Sequence, residues 1–332
     1  MTLPLPRRLL ALLFGVLGLV LFAAPASADC AATPGSANLG TTGSFTAATT
    51  AQGAITGTGF TCSGSGVLTL ITTNTVTATI QSGTNSNGTQ PRLFNAVSGD
   101  HIPFTICRDS SCATTYPIGT QGTWSSTTLL GLLNLFSGPG GSLPLYMRTV
   151  PGTQVAAGTY TSTLTIAWTW NICSVGAVGL CLVRDTGSTV STIDVTMIVT
   201  NDCAIAAPAL DFGSAPLTDS FDPVTQAITI RCSKDAAYTV GIDDGLHASG
   251  GTRRLNGGSG TIAYDIFFPA GSGTRWGSVG AERRSSSQAT TNAGTYTGST
   301  GQTYTYRAQI TPGQSTPPAG TYTDTLTVDV QF

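Results

Sequence analysis

The chain has 332 residues, 16 acidic and 14 basic, with only 9% charged side chains and a formal net charge of −2. That balance excludes the basic stripe that nucleic-acid binding requires. The two histidines, His101 and His247, and the single lysine, Lys234, leave most acid–base enzymes without catalytic groups. Abundant threonine and 41 glycines, with few Lys, Glu or Met, favour strands and turns over helices.

At the start, Arg7-Arg8 precedes an apolar run from Leu9 to Ala24, and Ala26-Ser27-Ala28 supplies a small-x-small cleavage pattern. Residues 1–28 are therefore expected to be a signal peptide, since the run falls short of the roughly 18 residues of a membrane span. Cleavage before Asp29 removes Arg7 and Arg8 and leaves 12 basic against 16 acidic residues. All eight cysteines follow that site. An even count in an exported chain reads as disulfides, and spacing suggests Cys30–Cys62, Cys107–Cys112, Cys173–Cys181 and Cys203–Cys232. Zinc is the competing use, but no CxxC occurs and neither histidine lies near a cysteine cluster. No metal, cofactor or catalytic residue is expected, and the chain is read as not an enzyme.

Between Cys112 and Cys173 two segments stand out. The first reads TTLLGLLNLFSGPGG, with Leu129, Leu130, Leu132, Leu133, Leu135 and Phe136 crowded together. The second, residues 157–170, reads AGTYTSTLTIAWTW and alternates strictly. Tyr160, Leu164, Ile166, Trp168 and Trp170 share one face and threonines the other, the pattern of a strand covering a core on one side. A hairpin closed by Cys173 and Cys181 follows, carrying Val175, Val178 and Leu180. Its return strand, TIDVTMIVT, puts Ile193, Val195, Met197 and Val199 on one face.

The end of the chain repeats the plan. Residues 319–332 read AGTYTDTLTVDVQF, and Arg254 stands 12 positions before Ile266 as Arg92 does before Phe104. Each half opens on a cysteine whose partner lies about 30 residues on. Two homologous all-β domains follow, 29–200 and 201–332, each an immunoglobulin-like β-sandwich. The second copy stops at Phe332, so it lacks the counterpart of 191–200. A sandwich without that edge strand exposes an apolar groove and unpaired backbone, and the second domain is expected to need a strand from another molecule.

Cys203, the LDFG of Leu210–Gly213, Ile230-Arg231-Cys232, Tyr238, Arg254, Ala263-Tyr264-Asp265, Trp276-Gly277 and the closing AGTYTDTLTV resemble the spore coat protein U domain family. Its members include pilins of archaic (Csu-type) chaperone–usher pili. The resemblance covers 203–332 closely and 30–200 more weakly, since the DFG element is missing there and two extra cysteine pairs intrude. It implies donor-strand complementation: a periplasmic chaperone, then the N-terminal strand of the adjacent pilin, fills an incomplete fold. The final strand is the implied contact, through Leu326, Val328, Val330 and Phe332; these four also suit a plain core.

Only Asp29 would precede Cys30 after cleavage, leaving no donor strand. The expected role is therefore a two-domain tip adhesin, exported through the periplasm and an outer-membrane usher to the pilus tip, serving surface adhesion and biofilm formation. Chain direction places 171–190 and the segment before 143–150 at the outer end, where apolar loops would make a patch of the size proteins seldom leave idle. Leu129, Leu132, Leu133 and Phe136 also have helical spacing and suit a buried cap. The alternative role is a minor structural pilin or coat protein without adhesive function. Asp243-Asp244-Gly245 lacks the later glutamate of a calcium loop and reads as a turn.

Overall fold

The computed structural model describes residues 29–63, 73–126, 135–177 and 180–332. The first domain contains β1 (Asp29–Ala32), β2 (Gly35–Gly43), a short helix α1 (Ser44–Thr49), β3 (Gly53–Gly57), β4 (Phe60–Ser63), β5 (Asn74–Gly83) and β6 (Arg92–Phe94). It continues with β7 (His101–Cys107), β8 (Gln121–Ser126), β9 (Pro144–Thr149), β10 (Gly158–Ala177) and β11 (Leu180–Thr200). The second contains β12 (Cys203–Ala206), β13 (Val224–Cys232), β14 (Thr239–Ile242), β15 (Arg253–Asn256), β16 (Thr261–Phe267), β17 (Arg284–Ser285), β18 (Gln302–Ile310) and β19 (Val328–Gln331). The fold is all-β, as its composition demands: threonine fits the pleated wet face, and period-two apolar residues fit the dry one.

In the first domain nine strands form one curled sheet, ordered β11-β2-β3-β9-β7-β6-β10-β5-β8, and β11 pairs back onto β10. The two layers of the sandwich are thereby joined into a nearly closed ring around a core. Tyr160, Leu164, Ile166 and Trp168 are fully buried in it, in one cluster with Phe60, Phe104 and Leu93. β10 and β11 form a long antiparallel hairpin from Gly158↔Val199 out to Ala177↔Leu180. β11 also runs parallel to β2, from Ile193↔Gly35 to Thr200↔Gly43. Ile193, Val195, Met197 and Val199 are at most 2% exposed, so this strand completes its own domain.

The second domain stacks a five-stranded sheet, β12-β13-β18-β16-β15, on a three-stranded one, β17-β14-β19. Its core gathers Trp276, Tyr304, Val240 and Ile230. The repeat is geometric as well as textual. Cys30 faces Cys62 across β1 and β4, as Cys203 faces Cys232 across β12 and β13. The β6–β7 hairpin places Leu93 opposite Ile102, and the β15–β16 hairpin places Leu255 opposite Ile262. In both closing strands the AGTYT tyrosine donates its hydroxyl to the carbonyl four residues earlier: Tyr160 to Ala156 at 2.7 Å and Tyr322 to Pro318 at 2.6 Å. All four disulfides pair as the spacing suggests.

Candidate functional site

The two copies differ most along the final strand. β19 pairs with β14 on one side, from Thr239↔Gln331 to Ile242↔Val328, and stands at the edge of its sheet on the other. Antiparallel alternation turns the N–H and C=O of Asp329 and Gln331 toward β14 and those of Val328 and Val330 toward the open side. Upstream, residues 319–327 are not in a ladder, although the sequence reads as one strand through 332. They are held by mutual backbone bonds between Thr323 and Asn256, and by the Leu246 and Asp243 amides donating to the Thr325 and Thr327 carbonyls. Tyr322, Leu326, Val328 and Val330 stay half-exposed, whereas their counterparts on β10 are buried beside β11.

The uncovered side opens into a cleft of about 630 Å³. One bank is the segment after β12, with Leu210 and Phe212; the other is 320–328, with Tyr322, Leu326 and Val328. Isoleucines from both sheets, among them Ile228, Ile242 and Ile266, make the floor. By its distance from the opening cysteine, the first bank corresponds to β2, the strand that flanks β11 in the first domain. The gap thus has the position of β11 and is lined with the same kind of side chain.

Of the four final-strand residues, Leu326, Val328 and Val330 pack partly against the core and border the groove, while Phe332 is 58% exposed beyond the strand end. Sequence reasoning missed Asp324, which sits where the first copy has Ser162. Its carboxylate is 1% exposed, accepts Nδ1 of His247 at 3.0 Å, and accepts the Tyr264 hydroxyl at 2.8 Å. Burial, and then this carboxylate, push the Tyr264 hydroxyl above its ordinary value. These bonds fasten the groove-side segment to the loop 243–247 and to β16. Asp243 there accepts the amides of Gly245 and Thr327, which makes DDG a turn that also holds the final strand.

Arg253, not Arg254, is the buried arginine of its pair. It donates to Asp265 at 2.6 Å and to the Ile242 and Trp276 carbonyls at 2.8 Å each. Burial lowers its pKa from the ordinary arginine value, against the opposing pull of Asp265. Arg254 bonds Thr261 at 3.3 Å. Of the two histidines, His247 bonds Asp324, and His101 lies 4.9 Å from the Phe94 ring.

At the opposite pole lies the far end of the β10–β11 ladder, where Ala177 pairs with Leu180. The direction read from sequence holds, since β11 runs toward the second domain and β10 away from it. β9 does run inward, but its neighbours are β3 and β7 rather than β10. Asn171↔Thr75 and Asn74↔Ser126 bring the start of β5 and the end of β8 to this same pole. The hairpin base is fixed there: buried Asn74 accepts the Cys173 amide at 2.8 Å, and Arg184 donates to Asn171 at 2.8 Å. Beneath lies a pile of rings in which Phe60 is 4.9 Å from Trp168 and 5.6 Å from Trp170, with Trp124 6.2 Å from Trp168.

Leu129, Leu130, Leu132, Leu133 and Val178 lie outside the described residues. Val175 and Leu180 lie on the hairpin strands, Val175 opposite Val183 and Leu180 opposite Ala177. Leu135 and Phe136 are half-buried against the first core, and Ile172 is 1% exposed and belongs to it. Sequence reasoning also passes over residues 64–72, whose flanks Ser63 and Thr73 reach the same pole; they carry Val67, Leu68, Leu70 and Ile71. Proximity to the pole comes from strand register, which the local sequence does not display.

Two joined β-sandwiches, one closed by its own last strand and one with an open apolar edge, define a class of two-domain all-β proteins. The chain belongs to the Spore Coat Protein U domain family, whose model matches residues 17–167 and 189–329. No curated protein matches it. Among solved structures it is similar to a chain of the CsuC–CsuE chaperone–tip adhesion subunit pre-assembly complex from archaic chaperone–usher Csu pili of Acinetobacter baumannii. That match has 28% identity and a TM-score of 0.63, and covers 92% of this chain and all of that one. CfaE, the adhesive subunit of CFA/I fimbria of enterotoxigenic Escherichia coli, is more distant at 11% identity and a TM-score of 0.31, covering 90% of this chain and 92% of its own. At that level the likeness has no bearing on function.

Proposed function

We propose that the protein is the tip subunit of a chaperone–usher pilus: its second domain accepts a strand and its first domain contacts a surface. The observation that carries this reading is the contrast between two copies of one strand, paired with β11 in the first domain and open along a cleft in the second. An incoming strand that takes the place of β11 would run antiparallel to β19 and parallel to the segment after β12. Its alternate apolar side chains would take the positions of Ile193, Val195, Met197 and Val199. The chaperone would hold this groove in the periplasm, and the adjacent pilin would take it over after passage through the usher, with Leu326, Val328 and Val330 as its contacts. Phe332, outside the cleft, is the weakest of the four assignments.

The domain limits 29–200 and 201–332, with removal of 1–28, follow from the sequence, and the separate sheets support them. The adhesive surface is assigned to the outer pole, through Leu129, Leu130, Leu132, Leu133, Leu135, Phe136, Val175, Val178 and Leu180. A structural subunit without adhesive role is the second reading, favoured by the half-burial of Leu135 and Phe136. Replacing Leu132, Leu133, Val178 and Leu180 by serine separates the two. Cells that still assemble pili but no longer hold plastic support adhesion and biofilm formation; unchanged attachment supports the structural subunit.

A further inference from the structure

We propose that the two domains are locked into one fixed arrangement by a polar clamp centred on an ion pair between Asp100 and Lys234. The covalent link between β11 and β12 is only Asn201 and Asp202, and the groups around it are paired across the junction. Lys234, the single lysine of the chain, follows β13 in the second domain and reaches the Asp100 carboxylate of the first. The other oxygen of Asp100 accepts the Ala156 amide at 2.8 Å. Ala156 in turn faces Lys234 as a parallel bridge pair, and its carbonyl accepts the Tyr160 hydroxyl.

A second contact lies beside the first. The hydroxyls of Ser44, at the start of α1, and Ser233 are 2.7 Å apart, and these residues are 3% and 1% exposed. Ser233 also accepts the Asp202 amide at 2.8 Å and donates its own amide to the Asp202 carbonyl at 2.8 Å. Swinging one domain would break the Ser44–Ser233 bond and take Lys234 from Asp100, which would keep only its bonds within the first domain, the costly side of hydrogen bonding. The single lysine therefore acts as a positioning residue. It holds the outer pole and the open groove at opposite ends of one rigid body, so that a pull at one end reaches the other without a hinge.

The test is amide hydrogen exchange and small-angle scattering on the full chain and its K234Q, D100N and charge-swapped D100K/K234D forms. Exchange of the Ala156 and Ser233 amides should quicken at least tenfold in both single variants, with a broadened distribution of molecular dimensions. Protection at Ile228, Tyr304 and Leu164 should be unchanged, and the swapped form should recover most of the loss. Should K234Q unfold its own domain, D100N on the other domain carries the same test. Junction exchange within twofold of the parent in D100N, with unchanged scattering, overturns the proposal. So does a loss of protection spread evenly through both cores.

Discussion

A second copy of residues 191–200, joined behind Phe332 by a flexible turn, should fold back into the cleft and finish the second domain. Four inward side chains equivalent to Ile193, Val195, Met197 and Val199 contribute about 6–12 kcal/mol of gross burial, at roughly 1.5–3 kcal/mol each. Ordering some ten residues costs about 1–2 kcal/mol apiece. The backbone bonds that the strand makes to the open edge must offset much of this, at about 1 kcal/mol net each. With about eight to ten such bonds, roughly one per residue of a strand flanked on both sides, the mid-range values leave a surplus of about 2–4 kcal/mol, which raises the midpoint of a domain this size by roughly 10 °C. Thermal unfolding followed by calorimetry reads the shift directly. A matched extension with aspartate at the four inward positions removes the burial and should give no rise. Equal midpoints for the apolar and aspartate extensions would refute the claim that the cleft is an unfilled strand position.

Other expectations follow the same physics. Asp324→Ala leaves the Tyr264 hydroxyl and the His247 amide unpaired and should cost about 2–4 kcal/mol in second-domain stability, measured by denaturant unfolding. Replacing Cys203 and Cys232 together by serine should cost about 2–4 kcal/mol by the same measurement. A Cβ on Gly187 would overlap the Trp170 ring. Gly187→Val should therefore destabilise the first domain by about 1–3 kcal/mol and shift tryptophan fluorescence.

The clamp also sets a pH window. Burial works against the charged form of Asp100, but the Lys234 hydrogen bond and the Ala156 amide outweigh it and hold its pKa below the ordinary 3.8. The bond to Asp100 raises Lys234 above its ordinary 10.5, and Asp235 lies 3.9 Å away on the same side. Stability from a lowered carboxylate is complete above the unfolded value and is lost as pH falls through the folded one. The midpoint gap between the parent and D100N should thus persist near neutrality and close below about pH 4. A gap that persists in acid contradicts this assignment.

Much of the architecture was legible because alternation survives where a strand covers a core. Residues 157–170 and 191–200 read as strands, and their buried faces are Tyr160–Trp168 and Ile193–Val199. The cysteine pairs were legible from spacing, because each closes a local hairpin or faces its partner in register. The final strand was legible as pattern but not as ladder: 319–327 has the alternation without a neighbour on its open side. Polar burial was opaque. Asp324 occupies a position that is serine in the first copy, and only the fold brings His247 and Tyr264 to it. Asp100 and Lys234 are 134 residues apart, and no periodicity links them.

The most direct measurement is residue-resolved amide exchange along the last strand of the full chain, alone and with the periplasmic chaperone bound. Val328 and Val330 should exchange rapidly in the free chain while Asp329 and Gln331 are protected, and all four should be protected in the complex. Slow exchange at Val328 and Val330 in a free monomer would contradict the open groove edge on which the strand-accepting role rests.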